Sequence, residues 1–112
     1  MLKRVDSLLI ADMIIAIEEI NNFIEGDNYE TFTGDAKTKA AVVRNLEIIG
    51  EAASMVSEET KLLYPLVEWK EMKSLRNKLI HDYFGIDFSI VWNLIKDEIQ
   101  YNYHLLKQIT FN

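Results

Sequence analysis

The chain has no cysteine. That removes disulfide frameworks, thiol nucleophiles and zinc–thiolate clusters together, and it leaves the redox compartment open. Proline occurs once and glycine four times in 112 residues. So few turn formers argue against an all-β or disordered chain and favour a helical one with a single core, residues 1–112 forming one domain. No window approaches the roughly 18 uninterrupted apolar residues of a membrane span. Lys3 and Arg4 precede an apolar stretch, as in a secretory leader, but Asp6, Asp12, Glu18 and Glu19 interrupt it. No small-residue cleavage site follows. The expectation is a cytoplasmic protein without a membrane segment.

Basic residues are the scarcer charge, 12 against 18 acids, for a net charge of −6. That balance excludes a nucleic-acid binder relying on a globally basic surface. The distribution is uneven, however. Lys70, Lys73, Arg76 and Lys78 place four of the twelve bases within nine positions. The first 34 residues carry seven acids and two bases. A local cationic patch on an acidic body is the pattern that results.

Four long helices are legible. The first is expected from about Val5 to Ile24, with Val5, Leu8, Leu9, Ile15, Ile20, Phe23 and Ile24 as its apolar set and Gly26, Asp27 and Asn28 as its stop. A loop follows, its aromatics Tyr29 and Phe32 placed over the core. Asp35 is a plausible N-cap for a second helix running to about Ser57. Its interior Gly50 is compatible either with close approach of another backbone or with a tolerated loss of helix propensity. Residues 58–66 form a short helical turn closed by Tyr64-Pro65. A third helix spans about Leu66 to Tyr83 and stops at Gly85. Asp87 caps a fourth, with Ile86 and Val91 spaced as a hydrophobic staple. Its inner stripe is Val91, Leu94, Ile95, Leu105, Leu106 and Ile109. Short links between long amphipathic helices predict an all-α, antiparallel bundle of four to five helices.

The third helix carries the chemistry. At about 100° per residue, Met72, Leu75 and Leu79 form its buried stripe. Lys70, Asn77 and His81 fall roughly opposite, and Arg76 lies at the flank. Asn77 and His81 are four apart, so one stacks above the other. His81 occupies the last helical turn, where the macrodipole favours the protonated imidazole. Arginine binds phosphate oxygens, an amide orients a ribose or phosphate, and histidine moves a proton. On spacing alone, a solvated polar face is the favoured reading. One histidine cannot easily be both base and acid for RNA cleavage, so the chemistry favours a twofold dimer supplying a second His81 and Arg76. Trp69 and Tyr83 are expected to flank that interface. A di-iron site is disfavoured, because neither His81 nor His104 follows a glutamate by three residues. No metal and no cofactor is expected.

"RNKLIHDY" (Arg76 to Tyr83) resembles the Arg-x4-His-x-Tyr motif of HepT-like toxins in the HEPN superfamily. "RNLEIIGEAA" (Arg44 to Ala53) resembles the second-helix signature of that family, and "YPLVEW" (Tyr64 to Trp69) the approach to its third helix. The resemblance runs along the whole chain. It implies an all-α homodimer and a metal-independent endoribonuclease toxin of a type VII-like toxin–antitoxin system, its composite site lying where two motif helices meet. Arg76 would stabilise charge at the scissile phosphate, Asn77 would position it, and His81 would transfer protons. Lys70, Lys73 and Lys78 would attract RNA. The implied partner is an MNT-type nucleotidyltransferase antitoxin that transfers AMP to the motif tyrosine, here Tyr83. The motif itself shows no departure, and Asp82 within it places an acid beside the site, where it would raise the histidine pKa or weaken RNA attraction. The competing expectation, which the acidic charge favours, is a non-catalytic helical module that docks a nucleotidyltransferase.

Overall fold

A computed structural model describes residues 4–81 and 85–110, the side chains of residues 76–81 excepted. Its helices are α1 (Arg4–Phe23), α2 (Tyr29–Thr33), α3 (Ala36–Met55), α4 (Glu58–Leu63), α5 (Trp69–His81), α6 (Phe88–Lys96) and α7 (Glu98–Lys107). The fold is an all-α bundle, with no strand among the described residues. Among those residues, no helix is long and apolar enough to cross a membrane.

Helix α3 is the central element. It packs against α1 on one side and α5 on the other, while α7 closes over α1. Val42, Leu46, Ile49 and Ala53 are fully buried along its inner stripe, at the spacing that turns one helix face toward a core. Asp35 caps it as the sequence predicts, its carboxylate accepting from the Lys37 and Thr38 amides at 3.1 Å each. The predicted cap at Asp87 is also present, accepting from Ser89 N at 2.9 Å. Gly50 is buried within α3.

Several details differ from the sequence expectations. The predicted fourth helix is two helices, broken at Asp97, which ends α6 and opens α7 with φ −113° and ψ −76°. The loop after α1 contains the short helix α2, held by a capping box between Asn28 and Thr31. Phe32 is fully buried there, packing on Trp92 at 5.1 Å between ring centroids, whereas Tyr29 is exposed. Gly85 does not take the left-handed conformation of a helix stop; among the described residues only Gly26, after α1, has positive φ, at 81°.

The apolar set of α1 also needs correction. Val5, Leu8, Ile15 and Phe23 are exposed, and the buried face is Leu9, Ile10, Met13, Ala16, Ile17 and Ile20. Asp12 and Glu19, both exposed, share the outer stripe with Val5, Leu8 and Ile15 at helical spacing, and their hydration keeps that stripe outward. Asp6 does the reverse. It is 2% exposed and lies in phase with the buried set. Its carboxylate accepts from Ser57 N at 3.1 Å, Ser57 Oγ at 2.6 Å and Thr60 Oγ1 at 2.6 Å. This latch ties the first turn of α1 to the N-terminus of α4.

Candidate active site on the motif helix

Helix α5 forms because residues 69–81 contain no glycine or proline and carry Trp69, Met72 and Leu75 on one side. All three are buried. The expectation that Trp69 flanks an outward interface is therefore wrong. Its indole turns inward and donates Nε1–H to Tyr64 O at 3.0 Å, which satisfies the one polar group such a buried ring carries. Its burial widens the inward arc of α5.

The start of α5 is anchored from another helix. Asn102 of α7 is 1% exposed. Its Oδ1 accepts from Glu68 N at 2.9 Å, and its Nδ2 donates to Glu68 Oε1 at 3.0 Å and to Glu98 O at 2.9 Å. A helix N-terminus has amides without intrahelical acceptors, and here a remote side chain supplies an acceptor just ahead of it. Nothing in the chain-local pattern at Glu68 marks this. The available signal was the phase of Asn102, which falls with Ile99 and Leu106 on the buried side of α7.

Of the expected site residues, Lys70, Lys73, Arg76, Asn77, Lys78 and His81 all belong to this one uninterrupted helix. Lys70 and Lys73 are exposed. The side chains of Arg76, Asn77, Lys78 and His81 lie outside the described residues, as does Tyr83 altogether.

The described half of α5 borders two clefts. One, of about 490 Å³ and shared with α4, brings Lys61 to Lys70 and Lys73, with Glu58 and Glu71 also in its lining. Lys61 went unrecognised in the sequence because it is nine positions from Lys70 and folds back through α4. Its ammonium lies 3.5 Å from Glu58 Oε1. The other cleft, toward α6 and α7, is a groove of about 420 Å³ bearing Glu71, Asp97 and Glu98.

Asn45, in the middle of α3, is 5% exposed. Its Nδ2 donates to Ala41 O at 2.9 Å, which fixes the orientation of the amide. Its Oδ1 is then buried without a hydrogen-bond partner among the described residues.

The family model described as "Ribonuclease HepT-like" matches residues 13–109. The chain belongs to the HepT-like ribonuclease family. It is 42% identical over 98 residues to "Probable ribonuclease HepT" of Thermococcus cleftensis, covering 88% of this chain and 89% of that protein. A protein of Methanocaldococcus jannaschii with RNase in its name is 36% identical over 99 residues, 88% of this chain and 91% of that one. Another, from Caldanaerobacter subterraneus subsp. tengcongensis, is 42% identical over 76 residues, 68% of each chain. No solved structure matches.

Proposed function

We propose that this HepT-like chain is a metal-independent endoribonuclease acting as the toxin of a toxin–antitoxin pair. The observation that carries the proposal is the family match over residues 13–109, with Arg76, Asn77 and His81 of the motif all on the single helix α5. In the reaction, a ribose 2′-hydroxyl attacks the adjacent phosphorus. One His81 accepts the hydroxyl proton, and the P–O5′ bond breaks. A second His81, from a twofold-related copy, protonates the departing O5′, leaving a 2′,3′-cyclic phosphate and a 5′-hydroxyl end. Arg76 neutralises charge on the phosphoryl oxygens and Asn77 fixes their position. The protein works as a homodimer because each copy supplies one histidine.

Control falls to Tyr83. An MNT-type nucleotidyltransferase uses ATP: the Tyr83 oxygen attacks the α-phosphorus, pyrophosphate leaves, and the phenolic proton is lost. The adenylate adds bulk and negative charge where RNA phosphate must bind, so access falls by occlusion and repulsion.

The test is RNA cleavage in the presence of EDTA by the wild type and a folded His81→Ala variant. Removing a general acid–base group lowers the rate by roughly 10²–10⁴-fold. Equal cleavage by the two proteins would refute the assignment. Intact mass after incubation with ATP and the antitoxin should show one AMP on wild type and none on Tyr83→Phe.

A further inference from the structure

Lys37, Lys39 and Arg44 place three of the twelve basic residues within eight positions of α3, outside the motif helix. We propose that Lys39 and Arg44 form a second phosphate-binding track, which holds single-stranded RNA beside the cleavage site. The proposal rests on the ribonuclease reading and adds to it a substrate contact on a different helix.

Three observations carry it. The first is shape. Lys39 and Arg44 line a cleft of about 330 Å³ whose other wall is Ile86 and Phe88. Ile86 follows His81 by five residues, a chain span of at most roughly 18 Å. The cleft therefore opens within a short stretch of RNA from the end of α5, and α3 packs directly on α5.

The second is placement of charge. The Lys39 ammonium sits 4.8 Å from the centroid of the Phe88 ring, inside cation–π range. Phe88 is itself held edge-on to the buried Phe32, with 6.2 Å between ring centroids. Lys39 is thus aimed by a ring that the core fixes, and is less free than an ordinary surface lysine.

The third is availability. Arg44 contacts Glu47 at 3.8 Å, the outer limit for an ion pair, and its side chain is 67% exposed. A guanidinium has five N–H donors, so this long contact leaves most of its donor capacity facing solvent. Glu47 also lines the cleft. Its charge offsets part of the attraction that the two cations exert on a phosphate.

The test uses full-length His81→Ala protein, so that RNA binds without being cut. Fluorescence anisotropy with a single-stranded oligoribonucleotide gives the binding constant across a salt series. Each neutralised phosphate contributes a slope of roughly 0.7 in log Kobs against log salt for single strands. Adding Lys39→Gln and Arg44→Gln should lower the slope by about 1.4, and the charge-preserving pair Lys39→Arg and Arg44→Lys should retain it. A control of equal charge change outside the cleft lining, Lys96→Gln with Lys107→Gln, should leave the slope nearly unaltered. An unchanged slope in the Lys39/Arg44 variant overturns the track while leaving the ribonuclease reading intact. Equal loss from the control also overturns it, as a general charge effect. Absence of RNA binding by the His81→Ala parent overturns the track and the ribonuclease reading together.

Discussion

Replacing Asp6 by alanine should be among the most damaging single changes in the molecule, although Asp6 is remote from the motif in sequence. Its carboxylate is 2% exposed and accepts two hydroxyl hydrogen bonds of 2.6 Å and one amide bond of 3.1 Å. Hydrogen bonds to a charged acceptor contribute roughly 1.5–3 kcal/mol each, and the contributions of neighbouring bonds are not additive. Ser57 is only half-buried, so water can recover part of its loss, whereas Thr60 is 2% exposed. These considerations give about 3–4 kcal/mol for Asp6→Ala. That is a large fraction of the roughly 5–15 kcal/mol that stabilises a domain, and it corresponds to a fall in Tm of roughly 12–25 °C. Asp6→Asn should fall between wild type and Asp6→Ala, because it retains one acceptor oxygen. Urea unfolding followed by tryptophan fluorescence measures all three proteins. A double-mutant cycle with Ser57→Ala should give a coupling energy above about 1 kcal/mol. A loss under about 1 kcal/mol for Asp6→Ala, or no coupling, would show that the latch does not hold α1 to α4.

Two further outcomes follow from single side chains. Asn45→Leu removes a buried acceptor that has no partner among the described residues; since an orphaned buried group costs roughly 1–3 kcal/mol and the lost bond to Ala41 O about 1 kcal/mol, chemical denaturation should show unchanged or increased stability, and a clear loss would contradict the orphan assignment. Asp35 and Asp87 both titrate below the ordinary carboxylate value of 3.8, Asp35 chiefly through the Thr38 hydroxyl and Asp87 chiefly through the Ser89 hydroxyl, each helped by the same residue's amide. A depressed folded pKa means that the caps stabilise above about pH 4 and lose that contribution as pH falls through the folded value. Carboxyl NMR titration should place both midpoints below 3.8, and Thr38→Val should move the Asp35 midpoint upward.

The helices themselves were largely legible, because the signals that build them are local. Asp35 and Asp87 announce their caps by residue type, and the stripe in α3 repeats with one period. The orientation of α1 was harder, since apolar residues occupy much of its circumference. There the phase of Asp12 and Glu19 was more informative than the count of apolar positions. The break at Asp97 has no glycine or proline to mark it. Long-range polar contacts were the least visible, since Asp6 meets Ser57 and Thr60 across 51 and 54 positions. At the site, the motif and the helix carrying it were readable, whereas the inward turn of Trp69, the arrival of Lys61 and the cleft at Lys39 and Arg44 depend on packing between helices.

The clamp of Asn102 on Glu68 has a consequence for aim. A helix that slips by one residue rotates about 100°, enough to exchange an outer position for one facing the core. Asn102 engages the backbone just before α5 begins, so it indexes the angular setting of every residue along that helix. The rotation of α5 about its axis is thereby tied to a residue of α7, 34 positions further along the chain. A change at Asn102 can thus turn the whole helix while leaving its own sequence intact.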